Sequence, residues 1–331
     1  MAKRRLTDQQ KRRIASNKNS LSKLQNSKDA SSGNRVFNGL VVSHHGRKLV
    51  VETEDNKRYD CKLRQNLGDI ACGDSVVIQI DKKDHGVVVA VNERKNLLEK
   101  TGFAGLAKTV AANIGQVVIV CSVEPEPNDY LIDRYLTAAE NLPAEALIVI
   151  NKIDLLNNEN KLVIDTIKET YKNIGYRLIE TSIKKDAGLN ELKEALQNTT
   201  SILVGLSGVG KSSLVKMLLP DIDIRIGEIS TASKEGKHTT TVSSLYHLPD
   251  GGALIDSPGV RDFTPWNRDK EDIVNGFIEL KPYQGHCKFS NCTHTTEPGC
   301  AITEALEKGE LSQQRVNSFK KMLEDLEDQS R

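Results

Sequence analysis

The chain is predicted to be multidomain: all-β near its N-terminus, α/β in its middle and mostly helical at its end. Three observations carry this. Five short alternating apolar runs fill positions 35–91, strand-like and helical runs alternate from about 116 to 255, and Cys and His residues crowd into 286–300 ahead of a charged helical tail. At 331 residues the chain has room for two or three domains, and its 38% apolar content is that of an ordinary soluble protein.

No run is long and apolar enough to span a membrane, and Met1-Ala2-Lys3-Arg4-Arg5 lacks the apolar stretch and cleavage site of a secretory signal. A cytoplasmic location, reduced thiols, no membrane association and a monomer are therefore expected. The net charge of +1 hides an asymmetry, because residues 1–35 carry ten Lys and Arg against only Asp8 and Asp29. Residues 1–34 have too few apolar side chains to offset the entropy of ordering them. They are expected to form a disordered basic arm suited to nucleic-acid phosphates.

Strands are predicted at 36–42, 49–53, 59–63, 76–80 and 87–91, separated by turn residues such as Asp55-Asn56 and Gly73-Asp74. Five strands without a helix over 35–94 predict a small barrel of the OB type that binds RNA. Lys57, Arg58, Lys62 and Arg64 are candidate phosphate contacts, whereas Phe37 and Tyr59 alone offer base stacking, which argues against sequence-specific reading. A polar linker over 92–102 then leads into a domain spanning 95–268. Buried strands are expected at 116–121, 146–150, 177–180, 202–204 and 253–255, and helices at 130–141, 161–173 and 213–219. This alternation predicts a parallel sheet covered by helices on both faces.

Two motifs give the middle domain its chemistry. Gly205-Leu206-Ser207-Gly208-Val209-Gly210-Lys211-Ser212, followed by Ser213, fits the phosphate-binding loop pattern and lies between an apolar strand and a helix. Its glycines let backbone N–H groups converge on phosphate, Lys211 reaches the β- and γ-phosphates, and Ser212 ligates Mg²⁺. Asn151-Lys152-Ile153-Asp154 ends the strand at 146–150. The Asp154 carboxylate suits the N1 and N2 donors of guanine, specifying GTP over ATP. Asn151 would tie this loop to the phosphate loop, the Lys152 stem would lie over the purine, and Thr181-Ser182-Ile183, after the next strand, could add a backbone contact to the base oxygen, Ser182 being the candidate. The guanine motif precedes the phosphate loop, the reverse of ordinary P-loop GTPases. One circularly permuted nucleotide domain explains both motifs.

Asp256-Ser257-Pro258-Gly259 fits the D-x-x-G pattern that senses the γ-phosphate, with Asp256 on the Mg²⁺ shell and the Gly259 N–H toward the phosphate. Between the two lies Gly236-Lys237-His238-Thr239-Thr240-Thr241, where Thr240 is the expected second Mg²⁺ ligand. Val260 occupies the place at which Ras-like enzymes carry a water-orienting Gln, so another group must position the water. His238 is the candidate, an exposed switch contact being its plainer alternative. Slow intrinsic turnover, raised by a partner that orders the switch, follows.

In 269–331, a zinc-binding domain with a helical tail at 302–326 is expected. Cys287-x4-Cys292-x-His294-x5-Cys300 supplies three thiolates and one imidazole, a closed tetrahedral set for one structural Zn²⁺. His286 competes for the fourth place, and spacing favours His294. The tail mixes both charge signs on a face read as solvated.

Barrel, permuted motifs and Cys/His set together resemble a known family, the circularly permuted small-ribosomal-subunit biogenesis GTPases called RsgA. The resemblance covers nearly the whole chain, the basic arm least. It implies GTP hydrolysis to GDP and phosphate stimulated by the small ribosomal subunit, contact with ribosomal RNA, a role late in subunit maturation, His294 as the fourth zinc ligand, and a catalytic His238. The alternative reading is a nucleotide-gated RNA-binding assembly protein without useful turnover; a metabolic P-loop ATPase is opposed by Asp154. Permutation also places the Asp256 switch directly ahead of the zinc module, offering a short covalent path from nucleotide state to the last domain.

Overall fold

The computed structural model describes residues 35–45, 48–64, 67–81, 85–101, 107–220, 243–256, 269–290, 292–294 and 297–328. The basic arm, the switch with His238 and Thr240, and 257–260 lie outside them. The chain divides into two compact units, Met1–Arg94 and Lys95–Arg331. Among the described residues no helix is long and apolar enough to cross a membrane.

The first unit is a closed five-stranded barrel. Strands β1 (Arg35–His45), β2 (Lys48–Thr53), β3 (Arg58–Leu63), β4 (Ser75–Ile80) and β5 (Gly86–Val91) run in the order β1-β2-β3-β5-β4, and β4 pairs back onto β1. Closure depends on the length of β1, which pairs with β4 through 35–40 and with β2 through 39–45, with a bulge between Val41 and Ser43. Where both partners meet it, a Cβ on Gly39 would lie 2.4 Å from Val51 Cγ1, so only glycine fits. Alternate residues Leu49, Val51, Val76, Ile78 and Ile80 fill the interior. Fully buried Asp74 takes a bidentate contact from Arg94 at 2.6 and 2.7 Å. Of the candidate phosphate contacts, Lys57 pairs with Asp55 at 2.9 Å and Arg58 with Glu52 at 2.8 Å, while Phe37 and Tyr59 stack on each other with ring centres 6.4 Å apart.

The second unit opens with a hairpin, β6 (Leu97–Thr101) and β7 (Ala107–Ala112), where a polar linker was expected. Leu97-Leu98-Glu99-Lys100-Thr101 carries no period-2 alternation, and the Asn96 side chain fixes the pair by exchanging two hydrogen bonds with the Ile114 backbone. The main sheet has the order β10-β9-β8-β11-β13-β12, made from β8 (Gln116–Ser122), β9 (Glu145–Asn151), β10 (Arg177–Thr181), β11 (Thr200–Val204), β12 (Ser243–His247) and β13 (Ala253–Asp256). All pairings are parallel except the edge strand β12 on β13. The chain runs outward from β8 to β10, returns to place β11 beside β8, and then proceeds to the other edge. That reversal makes a topological switch point between β8 and β11, where ligands bind at the carboxyl ends of strands.

Helices α1 (Asp129–Asn141), α2 (Lys161–Ile174), α3 (Leu189–Leu196) and α4 (Lys211–Leu218) cover the sheet. Leu189, Leu192 and Leu196 of α3 pack with Leu214, Val215 and Leu218 of α4 against Val118, Val120, Leu147 and Val149.

The C-terminal region contributes α5 (Lys270–Gly276), a 3-10 turn at Ile278–Tyr283, α6 (Ala301–Glu307) and α7 (Gln313–Asp328). The tail is therefore two helices, divided at Gly309 with its φ of +73°. Its charged face is exposed at Lys321, Glu324, Glu327 and Asp328, while Val316, Phe319, Met322 and Leu323 of α7 pack with Ile273, Phe277 and Leu280. Among them Arg315, 1% exposed, bonds Asp133 of α1 at 2.6 Å and grips Glu279 through 2.6 and 3.0 Å contacts. Burial works against its charge, and Asp133 and Glu279 more than offset this, holding the guanidinium protonated. Tyr171 and Gln314 donate to the two Asp133 oxygens, so this fully buried carboxylate is satisfied.

Candidate functional site

The carboxyl ends of β8, β9, β10, β11 and β13 deliver the nucleotide motifs to one edge of the sheet. After β11, residues 205–210 turn through positive φ at Gly205 (+139°), Gly208 (+85°) and Gly210 (+97°) into the first turn of α4. Two of these glycines are sterically fixed. A Cβ on Gly205 would lie 2.0 Å from the Val120 carbonyl oxygen, and one on Gly210 would lie 2.3 Å from Asn151 Nδ2. Lys211 is buried, its ammonium donating to the Gly205 and Leu206 carbonyls at 2.7 and 2.5 Å. Ser207 and Ser213 are exposed, Val209 is buried in the core, and Ser212 is half-buried at the start of α4.

The guanine-motif loop is bonded directly to this loop. Buried Asn151 donates from Nδ2 to the Val209 carbonyl at 2.9 Å and accepts from Thr181 Oγ1 at 3.1 Å. Lys152, at φ +60°, places its ammonium between the Gly208 and Glu124 carbonyls at 2.6 and 2.7 Å, clamping phosphate loop and β8–α1 loop together. Asp154 accepts from Ser182 Oγ at 2.6 Å, and Lys184 approaches its other oxygen at 3.6 Å. The Ser182 hydroxyl, with Lys184 behind it and burial opposing both, holds this carboxyl below the usual range. An ionised carboxylate accepts only, which is the complement of an edge presenting two donors.

Asn151, Lys152, Asp154 and Ser182 thus meet the 205–213 segment at one place, and Asp256 ends β13 next to β11. His238, Thr240 and Gly259 lie outside the described residues. Ser212 and Asp256 offer hard oxygen donors from neighbouring elements, the kind Mg²⁺ takes. Lys184 escaped sequence reasoning: it lies two residues past Ser182, just beyond β10, and that position was its only signal. Thr181, expected with Ser182 and Ile183 near the base, donates its hydroxyl to Asn151.

The second cluster joins Cys287, Cys292, His294 and Cys300, whose ligand atoms all lie within 4.8 Å of one another. His294 Nδ1 is 3.4 Å from Cys287 Sγ and 3.6 Å from Cys300 Sγ. A tetrahedral zinc with ordinary bond lengths sets sulfur–nitrogen separations of about 3.5 Å, so the residues fit that ion. His294 reaches the cluster through a φ of +62°, and Cys300 is the residue from which α6 starts. Burial lowers the His294 pKa, favouring the neutral ring a ligand needs. Exposed His286 is outside the cluster.

A profile of the RsgA GTPase family matches residues 91–266. The chain is 41% identical to the small ribosomal subunit biogenesis GTPase RsgA of Hahella chejuensis, an alignment covering 99% of this chain and 98% of that protein. The chain belongs to the RsgA GTPase family. It is 42% identical to the Saccharophagus degradans member, with the same coverage. As an RsgA-family GTPase it also matches the crystal structure of YjeQ from Thermotoga maritima at TM-score 0.74 and 35% identity, over 88% of this chain and 99% of that one. YloQ, described as a circularly permuted GTPase, matches at TM-score 0.71 and 27% identity, over 92% and 99%. The inverted motif order fits the circular permutation that the YloQ description gives, and the barrel, P-loop domain and C-terminal Cys/His cluster all lie within the length aligned to these relatives.

Proposed function

We propose that this GTPase acts in maturation of the small ribosomal subunit, binding ribosomal RNA and hydrolysing GTP when the subunit orders its switch. One observation carries the reading: Asn151, Lys152 and the 205–210 loop form a single bonded site in a chain alignable end to end with a small ribosomal subunit biogenesis GTPase. Asp154 reads guanine, with Ser182 and Lys184 orienting it. Lys211 and the N–H groups of 205–213 hold the phosphates, Ser212 and Thr240 hold Mg²⁺, and Asp256 and Gly259 sense the γ-phosphate. The metal, once bound, neutralises charge developing on the phosphate oxygens. His238 positions the attacking water, since Val260 cannot. One Zn²⁺ on Cys287, Cys292, His294 and Cys300 holds the C-terminal module. The protein works as a cytoplasmic monomer, its basic arm and barrel on RNA phosphates.

Asp154→Ala should cut the preference for GDP over ADP by roughly 5- to 150-fold, the ~1–3 kcal/mol of one bidentate base contact. Competition of each nucleotide against fluorescent GDP measures this, and an unchanged ratio would remove the ground for guanine. Turnover by wild type and His238→Ala, with and without purified small subunits at fixed salt, tests the whole proposal. Strong stimulation of the wild type, lost in the variant by on the order of 100-fold or more, is expected for a water-positioning group. A wild type that binds GTP and is not stimulated would instead be a nucleotide-gated RNA-binding protein.

A further inference from the structure

The covalent path from Asp256 to the C-terminal module has a second route beside it. Helix α1 touches both ends of the unit. At its head, the 123–128 loop offers the Glu124 carbonyl to Lys152, and the Ser122 hydroxyl braces the same loop through the Glu124 and Pro125 carbonyls. Asn128 caps the helix by accepting from the Leu131 N–H. One turn further in, Asp133 receives Arg315, Gln314 and Tyr171. Tyr130 bonds Asp325 of α7, Lys321 lies 4.4 Å above the Tyr130 ring, and the Asn141 side chain bonds the Asp272 carbonyl of α5. A Cβ on Gly276 would lie 2.3 Å from Thr137 Cγ2, so α5 and α1 are in backbone-close contact. Between the first turns of α1 and the phosphate loop the contact is apolar, with Pro127, Leu131 and Tyr135 facing Leu206 and Val209 across a narrow crevice.

Helix α1 is tied to the C-terminal module by an ion pair and side-chain hydrogen bonds and meets the phosphate loop through apolar contact, so a shift of the module bears on it. Its head carries a carbonyl that the guanine-motif lysine holds, so the displacement is felt at the nucleotide. We infer that α1 couples the guanine site to the C-terminal module, with Asp133 as the positioning residue that makes helix and module one body. Coupling is reciprocal: nucleotide tightens the module, and a partner pulling on the module changes nucleotide release. The inference rests on the reading of 151–154 and 205–213 as a guanine-nucleotide site.

The test is hydrogen exchange of the full-length protein with and without GDP, together with the release rate of fluorescent GDP. Wild type should gain protection over 313–328 on binding GDP. Asp133→Asn, which leaves Arg315 its Glu279 partner, should lose that gain and release GDP roughly 2- to 30-fold faster. Tyr130→Phe removes a contact at the rim, leaves the core intact, and should move both readouts the same way by less; it carries the test if Asp133→Asn does not fold. Zinc content and thermal melting identify a variant whose module is simply lost. Bound GDP with unchanged protection over 313–328, or folded variants with wild-type release, would overturn the coupling alone. A wild type that binds no guanine nucleotide would overturn the site reading and the coupling with it.

Discussion

Lys211→Ala should lower kcat/KM for GTP by on the order of 100- to 1,000-fold, the loss seen when one preorganised charge stabiliser is removed from a transition state. The geometry supports a large value. Lys211 is 9% exposed and its ammonium is held by two loop carbonyls, so the charge is already placed and needs little reorganisation when phosphate arrives. Such preorganisation makes a charge worth more than the same group on a mobile surface side chain. The substitution also leaves the Gly205 and Leu206 carbonyls without this donor, a cost of about 1–3 kcal/mol to the loop if they stay dry. The two effects separate experimentally. Loop damage weakens GDP and GTP alike, whereas loss of a γ-phosphate contact weakens GTP selectively and lowers kcat. Steady-state turnover with equilibrium binding of both nucleotides checks this, and wild-type kcat in a folded Lys211→Ala protein would show that the loop does not serve phosphoryl transfer.

How far the sequence revealed this site depends on how local each signal was. The phosphate loop was legible because its glycines answer to backbone constraints that only glycine meets, the Val120 carbonyl against Gly205 and Asn151 against Gly210. Asn151's tie to the phosphate loop was legible too, since the motif fixes residue type and strand end together. Lys184 was not: a lysine two residues past Ser182 looks like any surface lysine until the fold sets β10 beside β9. The same holds for Arg315. Read along α7 it is one more charge in a mixed tail, and only the approach of α1 and the 3-10 turn gives it two carboxylates. The β6–β7 hairpin failed for a different reason. Its open end is closed by the Asn96 amide bonding Ile114 across 18 residues, which leaves no mark in hydrophobic periodicity. The barrel, by contrast, carries its signal within each strand, and four of its strands were found to within one residue, while β1 runs three residues past its expected end, to His45.

Removing the metal should have the second large effect, and a local one. Cys292→Ser, or strong chelation, is expected to release the Cys/His loop and undock α6 and α7, while the α/β sheet stays folded and still binds nucleotide, with faster GDP release of the kind expected for Asp133→Asn. Apparent binding energies of structural zinc are about 10–16 kcal/mol, comparable to the whole stability of a domain. The module has a core of its own around Phe277 and Phe319, whose rings meet edge-on at 5.3 Å, but two of the metal thiols, Cys292 and Cys300, are part of that core. With the metal gone, these thiols and the His294 ring against Phe319 no longer share a common centre. Among the described residues the loop is then held by the Lys288–Gly299 and Cys292–Phe289 backbone bonds and by the Thr293–Glu297 pair. The Arg315 cluster lies on the far side, toward α1, and its ion pairs need α7 in position. If α7 detaches, Asp133 keeps only Tyr171 and sits as a charge in a half-emptied site, so the loss propagates to α1 at a cost of about 3–5 kcal/mol. Metal analysis should show one zinc per wild-type chain and none in the variant, and limited proteolysis should cut the variant within 285–328 where the wild type resists. A zinc-free protein whose 301–328 region stays protected would assign the fold of this module to its apolar core and the Arg315 cluster instead of the metal.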